Sequence, residues 1–287
     1  MSWVNYHSHS LYCDGKANPD DFVKQAVKLG FPAWGCSSHA PVPFASRWNM
    51  PSNKLPEYME ELNRIIADYS GKIQVYKGLE IDYIEGLWGY HRSSLDKIPL
   101  DYTIGSVHYI GQLPDGSHFC FDGQPEAFFS GIELLYHNDF RKAVTAYYHA
   151  VIRMTEVDNP DIIGHMDKIK MHNTFRPYLN EEDPWYVGLV EETLEVIRQK
   201  GSMVEVNTRG LYKHTPPLLY PGKWVLERIH RKKIPVLLNS DAHHPDEIAS
   251  GFTQAAEILQ EIGFNSLRLL VDGSWQDKGF TKTGLLL

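Results

Sequence analysis

The sequence predicts an α/β fold built on a parallel sheet, and three observations predict it. Short apolar runs alternate with segments of helical periodicity along the whole 287 residues. The runs are apolar at nearly every position, as in strands buried on both faces. Six of the seven runs end in His, Asp or Glu. Seven such units in this length suggest a closed or distorted barrel, with a doubly wound open sheet as the structural alternative.

The candidate strands are Trp3–Tyr6, Ala33–Ser38, Ile73–Leu79, Tyr102–Val107, Ile162–Gly164, Met203–Val206 and Val236–Asn239. Helix signals lie between them. Asn18-Pro19-Asp20-Asp21 reads as an N-cap with proline in the first turn, and Gly30 closes that helix. Leu55–Tyr69 has apolar residues at helical spacing and meets Gly71. Ala143–Val157, Trp185–Lys200 and Trp224–Lys232 follow the same logic, and His244-Pro245-Asp246-Glu247 opens a helix to about Ile262. Two long irregular stretches, Pro41–Asn53 and Tyr109–Asp139, follow strand ends, where active-site loops belong.

Composition narrows the function. No run approaches eighteen uninterrupted apolar residues, and the start lacks a basic and apolar leader, so neither a membrane span nor a signal peptide is expected. The formal net charge of −8 argues against a broad grip on nucleic acid. Cys13, Cys36 and Cys120 form no Cys-x-x-Cys pair, which suggests a reducing compartment and a cytoplasmic protein. The sequence sets no oligomeric state.

The chemistry lies in the strand ends. His7 and His9 are two apart in an extended segment and point to one face. The second strand ends at His39, the third at Glu80, the fourth at His108, the fifth at His165, and the seventh at Asp241 with His243 two residues on; Asp14 lies just beyond the first. In a parallel barrel that end is the catalytic face. A nitrogen and oxygen donor set without cysteine suits zinc, manganese or iron, and so many groups need two or three divalent ions. The histidines at 91, 118, 137, 149, 172, 214, 230 and 244 lack this placement and read as surface or loop residues.

The series His7-x-His9, Asp14, His39, Glu80, His108, His165 and Asp241-x-His243 resembles the signature of the polymerase and histidinol phosphatase (PHP) superfamily, from residue 3 to about 275. The segment Glu205-Val-Asn-Thr-Arg-Gly-Leu-Tyr-Lys213 and the terminal Gly263-Phe264 and Gly273-Ser274-Trp275 resemble its histidinol-phosphate phosphatase branch. The resemblance implies a distorted (β/α)7 TIM-like barrel, a single domain over residues 1–287, and a trinuclear metal centre. It assigns His7, His9, Glu80 and Asp241 to a first metal. Glu80, His108 and His165 go to a second, with Glu80 bridging, and Asp14, His39 and His243 to a third. A carboxylate has two oxygens for bridging, whereas an imidazole nitrogen binds one ion.

A small phosphate monoester is the implied substrate, most simply histidinol phosphate in histidine biosynthesis. Two or three cations can acidify a water, hold phosphate oxygens and neutralise the leaving alkoxide. Asp14, Glu80 and His243 are the catalytic candidates. Arg209 and Lys213 follow the sixth strand, which offers no metal ligand, and Lys170 lies five residues after His165, near where the family carries a basic phosphate-binding residue. These three are the candidate phosphate partners. An ammonium and an imidazole on the substrate would want an acidic group and aromatic walls, for which Phe44, Trp48, Phe121 and Asp122 stand ready. Two other functions fit the same ligands: a phosphodiesterase or nuclease of the superfamily acting on nucleotides or DNA ends, and a non-catalytic metal-binding module.

Overall fold

The structure is a computed structural model that describes residues 2–287. In chain order the strands are β1 (Val4–Asn5), β2 (Ala33–Cys36), β3 (Gln74–Asp82), β4 (Tyr102–Ser106), β5 (Tyr109–Gln112), β6 (His118–Cys120), β7 (Ile162–Ile163), β8 (Met203–Asn207), β9 (Val236–Asn239), β10 (Ser266–Val271), β11 (Ser274–Thr281) and β12 (Gly284–Leu285). The helices are α1 (Pro19–Lys28), α2 (Leu55–Asp68), α3 (Pro125–Tyr136), α4 (Phe140–Val157), α5 (Pro184–Lys200), α6 (Arg209–Lys213), α7 (Lys223–Lys232) and α8 (Phe252–Ile262).

The main sheet runs β1-β2-β3-β4-β7-β8-β9, and every neighbouring pair is parallel. These are the seven strands the sequence predicts. The first and last meet through a parallel bridge between Ser8 and Ala242, where Ala242 N–H donates to His7 O at 3.1 Å and His9 N–H to Ala242 O at 2.8 Å. The sheet is therefore a nearly closed, distorted barrel, stitched shut at the C-terminal ends of its strands. No helix among the described residues is long and apolar enough to cross a membrane.

Aromatic packing fixes the barrel interior. The Tyr102 ring lies across β2 and β3, and an added Cβ at Gly35 or Gly78 would sit 2.4 or 2.3 Å from its atoms. The Tyr6 hydroxyl donates to Leu270 O at 2.7 Å, and its ring meets Tyr76, Tyr102 and Trp275 edge-on. The antiparallel β10-β11-β12 sheet thereby packs against the barrel. Each amphipathic helix buries one stripe on this core; α1, for example, buries Pro19, Phe22, Val23 and Ala26.

Two expectations are corrected. The stretch Tyr109–Asp139 is not irregular: it holds the β5-β6 hairpin and α3, with Gly131 letting Phe119 pack against the helix. Nor does a continuous helix start at His244. A short 3-10 turn at Pro245–Glu247 precedes α8, which begins after Gly251 in the left-handed region at φ 77°.

Candidate metal centre

The strand ends converge as the spacing requires. His7, His9, Glu80, His108, His165 and Asp241 are all buried at the mouth of the barrel, with His39, Asp14 and His243 beside them. Three donor groups have ligand atoms within 4.8 Å of one another: His7, His9 and Asp241; His39, Glu80 and His108; and His9, Asp14, His39 and His243. Ligands on one ion at about 2.0–2.2 Å stand some 3–3.5 Å apart, and the spacings here match. His9 Nε2 is 3.1 Å from Asp241 Oδ1, and His243 Nε2 is 3.2 Å from Asp14 Oδ2. The groups differ from the implied assignment in letting His9 and His39 each serve two of them.

Glu80 sits between the groups. Its Oε2 lies 3.1 Å from His7 Nε2, 3.4 Å from His9 Nε2 and 3.0 Å from His39 Nδ1. Its Oε1 lies 3.2 Å from His165 Nε2 and 3.7 Å from His108 Nε2. Each oxygen thus faces a different set of imidazoles, the geometry of a bridge.

The donors fit cations and little else. His7 Nε2, His9 Nε2, Asp14 Oδ1, His39 Nδ1 and Glu80 Oε1 are buried and make no hydrogen bond among the described residues. Buried polar atoms left so are costly. Burial opposes ionisation of Glu80, yet the imidazoles of His39 and His7 hold it well below the usual carboxylate range. Asp241 behaves likewise beside His7 and Arg209. Burial keeps His9 well below its ordinary value, helped by His39 and His243, so it stays a neutral ligand. Asp241 also holds a left-handed backbone at φ 53°, a strained conformation of the kind that gathers at functional sites.

Residues beyond the sequence candidates orient the ligands. Glu205 Oε1 lies 2.6 Å from His7 Nδ1, and its Oε2 accepts from His165 N–H at 3.0 Å and Asn207 Nδ2 at 3.0 Å. Asp82 Oδ1 lies 2.8 Å from His108 Nδ1. Such carboxylates fix the imidazole tautomer and raise ligand basicity. Both were findable: Glu205 shares a strand face with Asn207, and Asp82 with Glu80, by two-residue alternation.

A cavity of about 430 Å³ opens over the cluster, and Arg209, Lys168, Lys213, Asn207, Asp122, Trp48, Met171, His214 and Tyr220 line the rest of it. Arg209 Nη1 donates to Asp241 O at 2.7 Å. Lys213 reaches the rim, tied to Glu247 at 2.5 Å. Lys170 is the correction: its ammonium is buried at 2.6 Å from Asp167 and 3.5 Å from Glu181, away from the cavity. Lys168 faces the cavity instead, 2.6 Å from Asp122. That ion pair leaves Asp122 less free for a substrate ammonium. Phe44 stacks on His118 and Phe121 packs in the core against Tyr147, so of the aromatic candidates only Trp48 lines the cavity. Of the histidines read as surface or loop residues, His172 and His214 lie in loop segments, the first buried and the second lining the cavity.

A parallel barrel carrying a polynuclear cluster of imidazoles and carboxylates at its C-terminal face defines a metal-centre protein. The PHP domain pattern matches residues 5–209, and the chain belongs to that family. Histidinol-phosphatase of Bacillus subtilis is 27% identical over 263 residues, 86% of this chain and 95% of that protein. A solved structure from Listeria monocytogenes has a TM-score of 0.76 at 20% identity, covering 88% of this chain and 99% of its own. Histidinol phosphate phosphatase from Lactococcus lactis, solved with zinc, L-histidinol and phosphate, has a TM-score of 0.70 at 21% identity over the whole of both chains.

Proposed function

We propose that the chain is a metal-dependent phosphatase that hydrolyses L-histidinol phosphate to L-histidinol and phosphate. One observation carries the reading: Arg209 and Lys168 line the same cavity as the carboxylate and imidazole cluster, so an anion there meets positive charge besides that of any bound cations. The family and the naming of the Bacillus subtilis relative support the substrate.

His7, His9, Asp14, His39, Glu80, His108, His165, Asp241 and His243 would hold two or three divalent ions, zinc, manganese or iron. Such ions, when bound, acidify water and neutralise charge on phosphate and leaving oxygens. The chain's own residues do the rest. The Arg209 fork and the Lys168 ammonium hold phosphate oxygens, and Lys213 adds charge at the rim. Asp14 and His243, 3.2 Å apart at the cavity edge, influence the leaving-group proton, which water supplies because both side chains would be metal ligands. No protein nucleophile is required.

The test compares kcat/KM for histidinol phosphate, nitrophenyl phosphate and bis(nitrophenyl) phosphate. Histidinol phosphate should lead by about tenfold or more, because binding energy from its remote groups lowers the barrier. A bis-ester turned over best would replace this reading with a phosphodiesterase, and no turnover of any ester would replace it with a binding module.

A further inference from the structure

We propose that Lys170 is a positioning residue: anchored on Asp167 and Glu181 behind the site, it sets the turn that aims Lys168 at the phosphate. This rests on the reading of Lys168 as a phosphate partner and is independent of the alcohol that the ester carries.

Two lysines share one tight turn. Lys168, Ile169 and Lys170 make the short 3-10 helix that follows β7, and all three are buried. A 3-10 helix has three residues per turn, so successive side chains leave it about 120° apart. Lys168 and Lys170 therefore point to different sides, and fixing one fixes the other. Lys168 lines the cavity, 2.6 Å from Asp122 on the segment after β6. A phosphate entering the cavity draws on the same ammonium, so the turn needs an anchor elsewhere.

Lys170 supplies that anchor. Its Nζ is 2.6 Å from Asp167 Oδ2 and 3.5 Å from Glu181 Oε2. Burial opposes its charge, but the two carboxylates outweigh burial and hold the pKa above the ordinary lysine value, so the ammonium stays charged. Breaking a buried pair strands a charge, so the pair resists rearrangement. Asp167 Oδ2 also accepts Gly222 N–H at 2.8 Å, and Glu181 accepts from Trp224 Nε1. The ammonium is thus tied to the start of α7 as well as to its own turn. Gly222 shows how closely these parts fit. Its φ of −63° suits any residue, yet an added Cβ would stand 2.5 Å from Lys170 Nζ. Glycine there leaves room for the ammonium. Between the two lysines, Ile169 is fully buried, and its carbonyl accepts from the Tyr178 hydroxyl at 2.5 Å.

The test measures binding of inorganic phosphate to the metal-loaded protein by calorimetry, in a double-mutant cycle with Lys168→Met. Gly222→Ala displaces the Lys170 ammonium without removing a charge. Lys170→Met combined with Asp167→Asn removes the ion pair and leaves Gly222 N–H an acceptor. Each should raise the Kd for phosphate by about three- to tenfold when Lys168 is present, and by less than about twofold when it is Met, because the contact is then already lost. Lys168→Met by itself should raise the Kd about tenfold or more. A wild-type Kd in either anchor variant, whatever its Tm, overturns the positioning role. So does an equal rise with and without Lys168, which would mean a general disturbance of the site. If the combined variant does not fold, Gly222→Ala decides alone. Lys168→Met with wild-type affinity overturns the phosphate reading of Lys168 and the positioning role with it. A raised Kd in Lys168→Met, beside anchor variants that are silent or additive, overturns the positioning role alone.

Discussion

Glu80 and Glu205 are both buried carboxylates within 3.1 Å of a His7 ring nitrogen, but they do different things. Glu80 presents one oxygen to each set of imidazoles, so a bridge needs both its charge and its second oxygen. Glu80→Gln should therefore abolish most of kcat, while Glu80→Asp, which keeps both oxygens, should retain more; a Gln variant with near-normal kcat and full metal content would remove Glu80 from the bridge. Glu205 acts from behind His7, holding the ring by Nδ1. Glu205→Gln should weaken metal affinity by about ten- to a hundred-fold, measured by titration against a competing chelator, and excess metal should restore most of the turnover. Unaltered affinity would reduce Glu205 to a packing residue. These cases explain what the sequence could and could not say at this scale. The ligands stood out because each ends its own strand. Lys168 did not, because Lys168 and Lys170 are two apart in a 3-10 turn, and only the turn's orientation decides which one faces the cavity.

At the scale of elements, the barrel strands were legible because burial on both faces makes them apolar throughout. The β5-β6 hairpin was not, since its strands are short, half exposed and irregular in register. The C-terminal β10–β12 sheet escaped for a related reason. β11 is polar along most of its length, and its pairing with β10 rests on a turn at Asp272 and Gly273 with positive φ at both residues. Within the barrel, the glycines of β2 and β3 are part of the packing. A methyl group at Gly78 would stand 2.3 Å from the Tyr102 ring, whose hydroxyl is held by Tyr6 O at 2.5 Å. Gly78→Ala should cost about 1–3 kcal/mol, read as a lower urea midpoint at unchanged slope. A wild-type midpoint would mean that Tyr102 can step aside without loss.

For the whole molecule, the buried donors make stability depend on metal. Seven of the nine proposed ligands are carried by the first and last strand ends, β3 and the segments just after β2 and β9, so bound ions tie the closing seam of the barrel to its opposite wall. Ions that bind only the folded chain stabilise it by mass action, about 2.7 kcal/mol for each site at a hundred times its Kd. For a chain of this length that is roughly 5 °C in Tm. Chelation should therefore abolish turnover and lower Tm by at least that much, and restored metal should reverse both. The gap should also depend on pH with a definite sign. The imidazole ligands bind metal only when neutral, and acid supplies competing protons, so the stabilisation is fully present above the histidine range and is lost as pH falls through it. Melting curves of the loaded and stripped protein should lie furthest apart near pH 8 and draw together towards pH 5. Coincident curves at pH 8, with elemental analysis confirming loaded and stripped samples, would show that the cluster holds no stabilising ion and would remove the metal centre on which the proposed phosphatase depends.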